Sequence, residues 1–173
     1  MPYSSIKKSV ESIDNVRLNK QIVECYQLLT SAIKEKNGEI IKGHSHHPVY
    51  LFYKDNLEFL AYYGYECCRE YYYRNKKWQS LTQYFDNIMN DFNMFEYDDG
   101  YISSMQIPKF VPYYMEGNKD SPNCIRTTKN VSQLFRDKLI KKWQADIEKN
   151  RPPKWAGWGC PSWAKEFLKF KEK

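Results

Sequence analysis

Apolar residues recur along most of this chain at intervals of three and four, the period of a helix with one buried face. The clearest run is 14–36, where Leu18, Ile22, Cys25, Leu29 and Ala32 fall on one stripe. Asp14 is placed to cap its start, Lys34 and Lys36 suit the negative end of its dipole, and Asn37-Gly38 stops it. A short helix is predicted over 4–12, capped by Ser4 or Ser5. A helix or broken helix is predicted from Pro48, a residue suited to a first helical position, to about Asn75. Its stripe is Val49, Phe52, Leu57, Leu60, Tyr63 and Cys67, with Gly64 allowing close packing or a small bend. Leu81, Phe85, Ile88 and Phe92 predict a further helix over 79–93. Phe135, Leu139, Ile140 and Trp143, preceded by Val131 and Leu134, predict one over about 130–149. Ser162 would cap a last short helix. No apolar/polar alternation is long enough to support a sheet. The expectation is an all-α fold, compact and helical, with a single domain over 1–173.

Two stretches break the periodicity. Residues 94–128 are punctuated by Asp98-Asp99-Gly100, Pro108, Pro112, Gly117 and Pro122, and are expected to be an irregular insertion. The tail, 150–173, brings Trp155, Trp158 and Trp163 together among Pro152, Pro153, Gly157 and Gly159. Those indoles could anchor a protein partner, but closing the chain's own core is the stronger expectation. There is no internal repeat.

Composition narrows this picture modestly. Lys and Arg number 27 against 21 Asp and Glu, a net charge of +6 that is compatible with a polyanion and does not demand one. Aromatic residues make up 17 %, many of them among Lys and Arg, as an unstacked base or single strand would need. For most of the tyrosines a ring in the core with a wet hydroxyl is the simpler explanation. Cys25, Cys67, Cys68, Cys124 and Cys160 are odd in number and lack CxxC spacing, which disfavours a disulfide framework or a zinc ribbon. With no leader pattern and no long apolar run, an intracellular, cytoplasmic protein is expected, with no membrane partner. The abundance of Lys, Asn, Tyr and Ile suggests an AT-rich genome, such as that of a phage or virus.

Candidate chemistry concentrates on the long helix. In RLNKQIVE, Arg17, Lys20, Gln21 and Glu24 lie at spacings of three and four, hence on one face. Spacing alone favours a salt-bridged surface stripe. The functional alternative is a polar face on which Glu24 serves as acid, base or electrostatic stabiliser and the cations hold a phosphate. The histidines, His44, His46 and His47, all fall in GHSHHP. Adjacent histidines without a separated partner do not wrap an ion well, so no metal and no cofactor is expected. His47 before Pro48 reads first as a structural histidine at a helix start, with a polar histidine facing the same cleft as Glu24 as the functional alternative. The segment YYGYECCREYYYRNKKW, 62–78, reads chiefly as core packing with snorkelling cations. Arg69, Arg74, Lys76 and Lys77 could form a backbone-binding rim.

RLNKQIVE, HPVYLFYKDNLEFL and VSQLFRDKLI, in that order, resemble the phage-type pyrimidine-dimer DNA glycosylases, the endonuclease V family, with RPPKW similar to the aromatic ending of the phage enzymes. The resemblance covers about 2–75 and 130–155, and leaves 94–128 without a counterpart. It implies a compact all-α fold and a glycosylase coupled to an abasic-site lyase, acting on damaged pyrimidines in double-stranded DNA through an amine Schiff base. The family's essential glutamate falls on Glu24. Its N-terminal amine nucleophile would be Pro2 once Met1 is removed. An α-amine titrates at about 7.7–8.0, so part of it is neutral near pH 7. Two departures stand out: Pro2 replaces the family's Thr, and Val23 and Gln27 occupy positions where the family carries Arg. Phosphate grip would then fall to Arg17, Lys20 and Arg136. These departures keep a second reading open: a catalytically silent relative whose Arg17, Lys20, Gln21, Glu24 and His47 bind or sequester a nucleotide or nucleic acid, as a phage decoy for a host nucleotide signal would.

Overall fold

The computed structural model describes residues 6–41, 50, 53–92, 128–155 and 159–168. Among them every regular element is a helix: α1 (Ile6–Ser12), α2 (Asn15–Lys36), α3 (Leu57–Asn75), α4 (Thr82–Asp91), α5 (Thr128–Glu148) and α6 (Ser162–Lys165). The all-α expectation holds. The predicted helix starts at Pro48, His47 and Pro2 lie outside the described residues, as does most of the 94–128 segment.

The five stripe residues of α2 are all buried, with Leu18, Ile22 and Leu29 at 0 % exposure. Periodicity therefore located this buried face without tertiary information. The continuous helix that follows the GHSHHP segment in sequence runs from Leu57. Tyr50 accepts a hydrogen bond from the Lys54 N–H at 2.9 Å and Tyr53 one from Asn56 at 2.8 Å, so a tight turn precedes it. The last helix is not capped by Ser162. Pro161 takes the cap position with an extended backbone, and no side chain caps the turn; its carbonyl accepts the Ala164 N–H at 2.9 Å. Among the described residues no helix is long and apolar enough to cross a membrane.

The described residues form two compact units. The first comprises α1, the start of α2 through Arg17, α5 and α6. Its core is Ile140, Trp143, Ala164 and Leu168, with Leu139, Ile147, Trp155, Cys160 and Trp163 packed against it. The tail's tryptophans thus serve this core: Trp155 meets Trp143 edge-on at 5.0 Å between centroids, and Trp163 stacks on it at 5.6 Å. Trp158 lies outside the described residues.

Asp14 organises the same unit. It caps α2 as predicted, its Oδ1 accepting the N–H of Val16 at 3.1 Å and of Arg17 at 3.2 Å. Its Oδ2 accepts the Trp143 indole N–H at 2.6 Å and the Arg17 guanidinium at 2.9 Å. A buried carboxylate is tolerated only when it is hydrogen-bonded and paired in this way. Lys154 accepts the Asn15 N–H at 2.9 Å, and Ser12 accepts the Trp155 indole N–H at 3.0 Å, which fixes the tail's course.

The second unit holds α2 from Leu18, together with α3 and α4. Here α3 is buried on more than the predicted stripe: Phe59, Ala61, Gly64, Glu66, Cys68 and Glu70 join Leu60 and Cys67. Gly64 is the close-approach point. A Cβ built there would lie 2.5 Å from Phe85 Cζ and 2.7 Å from Cδ1, and closer still to Cε1. The α4 ring occupies the space that any other residue's side chain would need.

Candidate functional site

The polar face of α2 is built by helical spacing within the second unit. Glu24 is the centre of it, with its side chain 44 % exposed. Gln21, one turn earlier, donates its amide N–H to Glu24 Oε2 at 2.6 Å. Lys20 brings its ammonium to 3.5 Å from Glu24 Oε1, so the two carboxylate oxygens have different partners. An exposed i,i+4 pair of this kind is worth only about 0.3–0.5 kcal/mol, so the contacts orient more than they stabilise.

The orientation is set from α3. Tyr63 donates its hydroxyl to Gln21 Oε1 at 3.2 Å. With its oxygen held there, the amide must present its nitrogen to Glu24. Tyr63 is itself fixed by ring packing: Tyr53, Phe59 and Tyr63 stack nearly parallel, at 5.4 Å and 6.1 Å between successive centroids. Burial holds the Tyr63 phenol well above its ordinary pKa, with Cys67 and Cys25 adding to the shift, and the group stays a donor. Burial likewise pushes the Tyr53 phenol up to about 12. The sequence stripe placed Tyr63 in the core by its ring. A Tyr in place of Phe on a buried stripe was the available sign that its hydroxyl had a partner.

The thiols beneath this face are not nucleophiles. Burial raises Cys25 and Cys67 far above the usual thiol range, and it pushes Cys68 up to about 11. A buried, protonated thiol behaves as a small apolar group.

Arg17 belongs to the first unit, where its guanidinium pairs with Asp14 at 2.9 Å and Asp146 at 2.7 Å. Burial alone would lower its pKa, but hydrogen bonds and charge from these two carboxylates outweigh that and raise it. Arg136, also in the first unit, lies over the Trp163 ring at 5.6 Å from its centroid. Pro2 and His47 lie outside the described residues. Among the described residues no cluster of His, Cys, Asp or Glu could hold a metal ion.

The helix carrying Lys20, Gln21 and Glu24, and the Tyr63 that steadies them, lie inside a segment with known counterparts. Residues 1–84 match the family model described as pyrimidine dimer DNA glycosylase. The match spans just under half of the chain and supports assigning this N-terminal segment to that family. The match covers the first of the two stretches that resemble the family in sequence, while 130–155 lies beyond it. No curated protein and no solved structure matches the chain. Within the matched segment, Glu24 is a carboxylate that is both accessible and held in one orientation, and the helical fold agrees with the family assignment. A pyrimidine dimer DNA glycosylase match implies DNA as the partner.

Proposed function

We propose that this protein is a DNA glycosylase with abasic-site lyase activity on damaged pyrimidines. Glu24 is the catalytic carboxylate, and the Pro2 amine, freed by removal of Met1, is the nucleophile. The observation that carries this reading is the oriented, half-exposed Glu24 on α2, inside the segment that matches the family.

The nitrogen lone pair attacks the sugar C1′. The glycosidic C1′–N bond breaks, its electron pair leaves with the pyrimidine, and the pyrimidine takes up a proton. The attached nitrogen gives up its N–H proton, its lone pair opens the C1′–O4′ bond, O4′ is protonated, and a positive iminium remains on the Pro2 nitrogen. Loss of a C2′ proton expels the 3′ phosphate and cuts the strand. Glu24 stabilises the positive charge that builds on the sugar and assists the proton transfers. Gln21, held by Tyr63, keeps the carboxylate in register. Lys20, with its ammonium on the solvent side, contacts a phosphate, and Arg17 and Arg136 are assigned the same role. His47 is assigned to DNA binding. The target nucleotide or its partner base must leave the stack for this chemistry.

The test is incubation of protein with a free Pro2 amine on UV-irradiated and on abasic duplex DNA, with borohydride added. A covalent adduct and strand nicks are expected, and Glu24→Gln should abolish nicking while retaining DNA binding. Absence of both adduct and nicks would overturn the proposal. Thermal stabilisation by nucleotides without turnover would replace it with the silent nucleotide-binding reading.

A further inference from the structure

The end of α3 carries a cluster that the glycosylase chemistry does not use. The stretch 71–81, YYYRNKKWQSL, contains three cations and no carboxylate. Arg74 is turned inward, its side chain 0 % exposed and paired with Glu70. Lys76 and Lys77 are exposed. Lys76 ends the helix in a left-handed conformation, φ 52°, with its N–H bonded to the Tyr72 carbonyl. That reversal brings Trp78 back onto Tyr72, with the rings stacked at 4.2 Å between centroids and 16° between planes. The Lys76 ammonium lies 4.8 Å from the Tyr73 ring centroid.

These rings do not serve a core. Trp143 in the first unit is fully buried, whereas Trp78 and Tyr73 are each 50 % exposed and Tyr72 40 %. One face of the Trp78 indole is occupied by Tyr72, so the stack holds the indole in place and leaves its outer side to solvent. Rigid aromatic surface beside lysines, with no acidic residue in the stretch, suits a partner that offers flat π faces and negative charge together. An apolar protein surface would match the rings but not the lysines.

We propose that Tyr72, Tyr73 and Trp78, with Lys76 and Lys77, form a platform for unpaired nucleic acid. A base stacks on the outer face of the Trp78 indole, and the flanking phosphates meet the two lysines. This site requires neither a lesion nor Glu24, so it stands apart from the glycosylase reading.

The test uses the full chain and a labelled, undamaged oligothymidine, with binding followed by fluorescence anisotropy across a salt series. The Trp78→Ala/Tyr73→Ala variant should bind roughly tenfold more weakly or worse, the loss expected for removed stacking surfaces. Trp78→Phe should keep most of the affinity, and its retained binding guards against a folding artefact. Lys76→Gln/Lys77→Gln should reduce the salt slope by about 1.4, at about 0.7 per phosphate contact on a single strand. The proposal is overturned if the wild type does not bind oligothymidine, as a surface built for a protein partner would not. It is equally overturned if the double alanine variant binds like the wild type, or if a base-free sugar-phosphate strand of equal length binds as tightly. Nicking of UV-irradiated duplex, measured in parallel, reports on the glycosylase reading separately.

Discussion

Replacing Gly64 by Ala tests the closest approach in the second unit. A methyl group at this position would meet Phe85 at 2.5 Å from Cζ and 2.7 Å from Cδ1. Carbon atoms prefer about 3.5–4.0 Å and Cε1 lies closer still, so the ring must retreat by well over about 1 Å or the helices must part. Phe85 is fully buried, which leaves its ring little room to retreat. Overpacking costs about 1–3 kcal/mol, and contacts this short against a fully buried ring point to the upper part of that range, about 2–3 kcal/mol. Against it stands the helix propensity of Ala over Gly, worth about 0.8–1.0 kcal/mol in the opposite direction. The net expectation is a loss of about 1–2 kcal/mol, which for a chain of this size lowers Tm by roughly 2–8 °C. Urea unfolding of Gly64→Ala, Phe85→Leu and the double variant checks both sign and cause. If the clash is the cause, the double variant should be less destabilised than the sum of the singles by about 1 kcal/mol or more. A Gly64→Ala protein as stable as the wild type, or more stable, would show that propensity decides and that the tight packing does not constrain this residue.

Three further outcomes follow from individual side chains. Asp14→Ala removes the α2 cap and leaves the Trp143 indole N–H and the Arg17 guanidinium without their shared partner; a loss of about 3–5 kcal/mol is expected in denaturant unfolding, and a loss under about 1 kcal/mol would refute the buried-hub account. Tyr63→Phe frees the Gln21 amide to turn away from Glu24, so single-turnover nicking should slow while stability changes by only about 0.5–1.5 kcal/mol; an unchanged rate would rule out the orienting role. Glu35 accepts the Tyr50 hydroxyl at 2.5 Å, which, with Lys54, holds its carboxyl below the ordinary range. A carboxylate depressed in the folded state stabilises the protein above its unfolded pKa, about 4.3, and that contribution is lost as pH falls through the folded value. Tyr50→Phe should therefore move the Glu35 titration upward by NMR, and should narrow its stability gap from the wild type in acid relative to neutral pH. No upward movement would discount the hydroxyl as the cause.

Much of this protein was legible before any fold was known. The α2 stripe, the Asp14 cap, the stop at Asn37-Gly38 and the close-packing role of Gly64 follow from period, side-chain chemistry and backbone freedom, all of which are local. The shared helix face of Lys20, Gln21 and Glu24 is also local, because spacings of three and four determine it. Other features required the chain to fold. Asp14 finds Trp143 across 129 positions, and Arg17 finds Asp146 across the same separation. No spacing rule links such residues, so the ion pairs of Arg17 with Asp14 and Asp146 were only half legible: the first is local, the second is not. Tyr63 acquires its role by reaching Gln21 from a different helix, and α3 is buried more widely than one stripe because α2 is not its sole neighbour. Local sequence set which faces the helices offer. Tertiary packing decided which polar groups on those faces meet, because a buried hydrogen bond needs partners from elements that only folding brings within 3 Å.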